Sequence, residues 1–278
     1  MRLAAALSEI APGYGAIVLD QWGVLHDGTR PYPGAVEAAE ALRAGGARLA
    51  VLSNSGKRAD LNAARLERMG FDPALFEVVM TSGEALWQDL ASGALPGLSR
   101  LHPVTGAPGD AEAWLGDLPG VTLTEIETAD AVLLMGLPED ADLDASFAAL
   151  APALAARLPL LCSNPDIASP RAGGRLAASP GALAARFEAA GGGVRWYGKP
   201  HGPIFDAAAR ALALPPARLL MVGDSLAHDV AGAKAAGWAS ALVAGGLHAG
   251  EIGPDPLAGA HRLAAGGPLP DYVLARLA

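Results

Sequence analysis

Short, uninterrupted apolar runs alternate with alanine-rich helical stretches along almost the whole chain, and this rhythm is what most limits its possible folds. Ala16 to Leu19, Leu49 to Leu52, Leu219 to Val222 and, with the single polar residue Ser240, Ala239 to Val243 are too short to be buried helices, and they show no sustained polar alternation. Strands of this kind are covered on both faces, as in a mostly parallel sheet sandwiched by helices. The pattern predicts an α/β fold. Helices are expected over Gly34 to Ala44, Lys57 to Met69 (stopped by Gly70), Pro203 to Leu214 and Ser225 to Ala236. From about Leu101 the texture changes. Short strands at Leu101 to Val104, Val121 to Ile126 and Ala131 to Met135 come close together, followed by a long helix over Leu143 to Arg157 and a strand at Leu160 to Cys162. An inserted second domain is the simplest account, with a glycine-rich loop at Ser169 to Arg175. The strand-helix rhythm resumes at Val194, and residues 1–10 read as a short helix.

The reactive residue types sit where these strands end, and in parallel α/β sheets ligands bind outside the carboxyl ends of strands. Asp20 closes the first run and opens Asp20-Gln21-Trp22-Gly23-Val24. It is a candidate nucleophile or metal ligand. Ser53 and Asn54 follow the second strand, and a hydroxyl, an amide and free helix N–H groups together suit an oxyanion. Lys199 lies between Gly198 and Pro200 and is one of only three lysines against 17 arginines. A compact ammonium there suits a phosphoryl oxygen or a carboxylate. Asp224 and Asp229, in Gly223-Asp224-Ser225-Leu226-Ala227-His228-Asp229, can converge on one hard cation such as magnesium. Either aspartate, or Ser225, also reads as helix N-terminal capping.

Composition closes off other classes. A net charge of −9 with no basic run disfavours nucleic acid, and no stretch approaches the length of a membrane span. The N-terminus makes a poor signal peptide, so a cytoplasmic protein is expected. Cys162, the single cysteine, reads as a small buried hydrophobe.

In this order, Asp20-x-Trp22-Gly23-Val24, Ser53-Asn54, Gly198-Lys199-Pro200 and Gly223-Asp224-Ser225-(x)3-Asp229 resemble the haloacid dehalogenase (HAD) superfamily. The chain is similar to its class IIA branch, which includes nitrophenyl-phosphatase-like, phosphoglycolate and pyridoxal phosphate phosphatases. Ser163-Asn164-Pro165-Asp166 and Ser179 to Leu183 also resemble that branch's cap. The resemblance implies a Rossmann-like three-layer core formed by residues 1–81 and 191–278, with a C2-type cap over 82–190. It implies a Mg²⁺-dependent phosphatase acting on a small phosphorylated metabolite through an aspartyl-phosphate on Asp20. Mg²⁺ would be held by Asp20, the Trp22 carbonyl, Asp224 and Asp229, directly or through water. Ser53, Asn54 and Lys199 would take the phosphoryl oxygens, and Asn164 and Asp166 would face the substrate from the cap. A homodimer through the cap is implied on the same ground.

Trp22 departs from the family pattern, which places there an aspartate that protonates the leaving oxygen and later activates water. Help of that type is worth roughly 10²–10⁴-fold. Asp27, and after it His26, are the nearest substitutes. Three readings follow: a phosphatase with another acid or a good leaving group; a phosphotransferase, or an enzyme acting on another bond type, with Trp22 stacking on a substrate ring; or a non-catalytic protein that binds a phosphate ligand.

Overall fold

The computed structural model describes residues 1–170, 176–246 and 248–277. In chain order its strands are β1 (Arg2–Ala4), β2 (Ala16–Leu19), β3 (Leu49–Ser53), β4 (Phe76–Thr81), β5 (Arg100–Val104), β6 (Thr122–Leu123) and β7 (Ala131–Leu134). They continue with β8 (Leu160–Cys162), β9 (Ala168–Pro170), β10 (Leu176–Ala178), β11 (Val194–Trp196), β12 (Leu219–Gly223), β13 (Ala239–Val243) and β14 (Tyr272–Leu274). The chain divides into two compact units: Met1–Ser53, Ala59–Met80 and Lys199–Ala278 form the first, and Asn54–Arg58 with Thr81–Gly198 the second.

The first unit is built on a seven-stranded sheet of order β1-β14-β13-β12-β2-β3-β4. Its central strands are the apolar runs of the sequence, and every residue of β2 and β12 is buried. Burial on both faces explains why these strands lack polar alternation. Ile17, Leu19, Leu49, Val51, Leu220 and Val222 belong to one continuous core. The register then fixes the site. Leu19 pairs in parallel with Val51 on one side and Val222 on the other, so the chain leaves β2, β3 and β12 at the same edge.

The second unit carries a five-stranded sheet of order β11-β8-β7-β5-β6 and a two-stranded antiparallel ribbon, β9 with β10. Residues 171–175, within the expected glycine-rich loop, lie outside the described residues. Cys162 is buried in β8, and burial pushes its thiol up to about 12, as expected of a structural cysteine.

Four expectations are corrected. Residues 1–10 begin with β1, which pairs in parallel with β14, and only Leu7–Ile10 is helical. The helix expected over Leu143 to Arg157 is two, Leu143–Ala149 and Ala151–Ala156. Pro152 at the start of the second has no N–H to give, and its ring would clash with the preceding turn. β11 pairs with β8 in the second sheet rather than returning to the first, because its register follows Leu160 to Cys162. The helix expected from Ser225 opens as a π-type turn over Leu226–Val230 before regular helix at Ala231–Ala235. Such turns are rare and concentrate at functional sites.

Candidate active site

Asp20 follows β2 directly, and its backbone N–H donates to the Val222 carbonyl (2.9 Å), which extends the ladder one residue beyond the strand. Gly223 and Asp224 are thereby brought alongside Asp20. The chain then turns tightly at Gly23, with φ +87°. A Cβ at Gly23 would stand 1.8 Å from Asp224 Oδ2, so only glycine admits this approach. Gly246, after β13, closes the other flank of the Asp224 carboxylate, where a Cβ would stand 2.5 Å from Oδ2.

Lys199 lies at the centre of the cluster, almost wholly buried. Its Nζ is 2.7 Å from Asp20 Oδ1 and 2.8 Å from Asp229 Oδ1, and it donates to the Leu52 carbonyl at 3.1 Å. Asp20 Oδ1 also accepts the Gln21 N–H (2.7 Å), and Asp229 Oδ2 accepts the Ser225 N–H (3.1 Å). Burial raises the Asp20 carboxyl well above the usual carboxylate range; the Lys199 ammonium opposes this, and the Asp229 and Asp224 charges add to it. Burial acts to lower the Lys199 ammonium, but Asp20 and Asp229 outweigh it and hold it above the ordinary lysine range.

One carboxylate oxygen from each of Asp20, Asp224 and Asp229 lies within 4.8 Å of the others. Three carboxylates against one ammonium leave an excess of negative charge, and all the donors are hard oxygens. The residues present therefore fit a divalent cation of the magnesium or calcium type.

The other expected residues are distributed as follows. Ser53 ends β3, one residue beyond the Leu52 carbonyl that receives Lys199. Asn54 belongs to the second unit, where its amide donates to Asp166 Oδ1 (2.8 Å), and Asn164 Oδ1 accepts the Asp166 N–H (3.0 Å). Asp27 is half-buried and folded into its own turn: its carboxylate accepts from Thr29 N, Thr29 Oγ1 and Arg30 N and pairs with Arg30 Nε. The Arg30 and Thr29 backbone bonds hold it well below the usual carboxylate range. A carboxylate so held is a poor proton donor at neutral pH, which weighs against Asp27 as the replacement for the missing acid. His228 N–H donates to Ser225 Oγ, an N-cap rather than a ligand arrangement. Sequence reasoning missed the Leu52 carbonyl and Gly246; the Gly245-Gly246 pair after a strand was the only available signal for the latter.

His26 is buried, and its Nδ1 accepts the Gly28 N–H at 3.1 Å, so Nε2 carries the ring proton. Burial, then the Arg65 charge, lowers it to about 4 against the opposing Asp27. Because the folded value lies below the ordinary histidine value, the unfolded chain binds more protons between these two pH values. Stability is therefore lost as pH falls from about 6.5 toward 4, by up to ~3 kcal/mol. Urea midpoints at pH 7 and 4.5 check this: His26→Asn, which keeps an acceptor for Gly28, is expected to lose markedly less than wild type on acidification. Equal losses would place the acid sensitivity elsewhere.

Comparison with known proteins agrees with this geometry. A family model described as haloacid dehalogenase-like hydrolase matches residues 17–112, and a HAD-hydrolase-like model matches residues 196–278. Human chronophin is 32% identical over 246 residues, covering 81% of this chain and 79% of that one. D-glycerol 3-phosphate phosphatase of Mycobacterium tuberculosis is 30% identical, covering 87% of this chain and 66% of that one. The crystal structure of a haloacid dehalogenase-like hydrolase from Brucella suis 1330 superposes with a TM-score of 0.81 at 28% identity, over 99% of this chain and 100% of that one. The fold and these relatives define a Rossmann-like α/β hydrolytic enzyme. The chain belongs to the haloacid dehalogenase-like hydrolase family, in its class IIA branch. Among the described residues no helix is long and apolar enough to cross a membrane.

Proposed function

We propose that this enzyme is a Mg²⁺-dependent phosphatase that hydrolyses a small phosphorylated metabolite through an aspartyl-phosphate on Asp20. The observation that supports it most is the buried Lys199 ammonium held between Asp20 and Asp229, with Asp224 alongside, at the carboxyl ends of adjacent parallel strands. Both hydrogen bonds to Asp20 fall on Oδ1, so Oδ2 is the attacking oxygen. In the first step the Oδ2–P bond forms as the bond from phosphorus to the leaving oxygen breaks, and the electron pair departs on that oxygen. In the second, water attacks phosphorus, the Oδ2–P bond breaks with its electron pair returning to the carboxylate, and phosphate leaves with one proton released to solvent. Splitting the displacement in this way lowers each barrier.

Lys199 aims the nucleophile and neutralises phosphoryl charge, and the Ser53 hydroxyl donates a hydrogen bond to a phosphoryl oxygen; this positioning supplies most of the catalysis in phosphoryl transfer. Mg²⁺ held by Asp20, Asp224 and the Trp22 carbonyl, with Asp229 direct or through water, would add its positive charge to the phosphoryl oxygens. The named relatives, chronophin and the glycerol 3-phosphate phosphatase, are in keeping with this class of reaction.

The test is phosphate release over a panel of sugar, nucleotide, cofactor, aryl and acyl phosphates. Exhaustive chelation is expected to abolish turnover and added Mg²⁺ to restore it. Full activity after chelation would overturn the metal assignment. No turnover on any member, together with tight binding of one, would favour a phosphate-ligand-binding protein.

A further inference from the structure

Trp22 stands in the turn after β2, two residues beyond Asp20, and 39% of it is exposed. It is the one aromatic among the exposed large hydrophobic side chains of the described residues. The ring is nevertheless fixed. One part of it lies on the bare Cα of Gly28, where a Cβ would stand 2.5 Å from Cη2 and Cζ3. His26 meets it edge-on, with centroids 6.3 Å apart and planes at 73°. Gly28 is itself held from both sides, its N–H by His26 Nδ1 and its carbonyl by the Arg65 guanidinium. With φ +98° and no room for a Cβ, position 28 requires glycine for the indole to lie where it does. A large apolar surface immobilised by a dedicated turn, and left open to solvent beside the reactive carboxylate, is preorganised for a planar ligand.

The chemistry of the indole points the same way. It has no ionisable proton to give to a departing oxygen, so an alkoxide would have to leave unprotonated, which is slow. An aryloxide is stable enough to leave without help, and it carries the flat ring that an indole stacks on.

We propose that Trp22 is a stacking platform for the leaving group, and that the substrates of this enzyme are phosphate monoesters of phenolic or other planar aromatic hydroxyls. The assignment rests on the phosphatase reading above. In the reaction, Asp20 takes the phosphoryl group and the electron pair of the broken P–O bond departs on the aryloxide, which is protonated by solvent. Water then hydrolyses the aspartyl-phosphate to phosphate, releasing one proton.

The experiment separates ring from leaving group with four substrates. These are 4-nitrophenyl phosphate (ring, good leaving group), acetyl phosphate (no ring, good leaving group), benzyl phosphate (ring, poor leaving group) and glycerol phosphate (neither). For Trp22→Leu, which keeps the backbone carbonyl, kcat/KM is expected to fall roughly ten-fold more on the two ring substrates than on the two acyclic ones, chiefly through KM. Trp22→Phe should recover most of the ring preference. Calorimetric titration with phenylphosphonate and methylphosphonate gives a readout independent of turnover: wild type should prefer the phenyl compound, and Trp22→Leu should lose that preference. A loss in Trp22→Leu that follows leaving-group quality instead of the ring, or equal affinity of wild type for both phosphonates, overturns the proposal. If wild type turns over none of the four substrates yet prefers phenylphosphonate, the hydrolytic reading fails while the platform stands.

Discussion

Asp20→Asn is expected to lower phosphate release by about 10⁴-fold or more while leaving the folded protein at least as stable as wild type. The two halves of this outcome come from the same geometry. The amide keeps the shape of the side chain and can still accept from Lys199 and the Gln21 N–H, but it cannot form an aspartyl-phosphate. The carboxylate it replaces is destabilising in the fold, since burial raises its proton affinity and the Asp229 and Asp224 charges raise it further against the single opposing Lys199. The sign follows directly. A carboxyl that binds its proton more tightly in the folded chain lowers stability as pH rises, so removing the charge does no harm at neutral pH. Thermal melts in chelator, beside a phosphate-release assay, check both halves. Activity retained within ten-fold would remove Asp20 as the nucleophile. A large fall in melting temperature would make its role structural. Loss of turnover at undiminished stability is the signature of a group kept for chemistry.

How far the site was legible from the sequence depended on whether each feature was local. β2, β3 and β12 were readable because strands buried on both faces are continuous apolar runs, and Asp20, Ser53 and Asp224 were readable because each lies at or just beyond the end of one of them. Lys199 was marked by the scarcity of lysine, but its partners were not: the Leu52 carbonyl is 147 positions away, and no local pattern connects the two. The same holds for Gly246, whose role is to let Asp224 approach, and for β1 and β14, three-residue strands whose hydrogen bonds come from far along the chain. The surroundings of Asp27 were hidden for the opposite reason. Its carboxylate is engaged by Thr29 and Arg30, a turn that competes for any aspartate near glycine and threonine. The Asn54 partner was not legible because the chain passes into the second unit immediately after Ser53, and its amide finds Asp166 there. Placement was most legible at strand ends, where backbone pairing alone fixes position.

Lys199→Met is the second large effect, and it separates a structural from a catalytic contribution within one residue. Methionine fills nearly the same volume, so the loss is of charge rather than packing. Without the ammonium, Asp20, Asp224 and Asp229 stand within 4.8 Å of one another with no cation among them. Removing one partner of a buried ion pair leaves an uncompensated charge and costs about 3–5 kcal/mol. For a chain of this length that is a fall of roughly 10 °C in melting temperature. Lys199→Arg is not expected to rescue it, because a planar guanidinium does not fit a nearly sealed position built for a point charge. Turnover should fall by at least about 10²-fold, the scale of losing one preorganised charge at a phosphoryl centre. The stability loss, unlike the loss of turnover, should be recoverable. The uncompensated carboxylate trio is a stronger cation site than wild type, so millimolar Mg²⁺ or Ca²⁺ should raise the melting temperature of Lys199→Met more than that of wild type, by mass action on the folded state. Lowering the pH should also return part of the stability, because one carboxyl can then take a proton in place of the missing ammonium. A variant with wild-type stability that responds no more strongly to cation would mean that the three carboxylates do not share one field, and the metal site proposed for them would go with it.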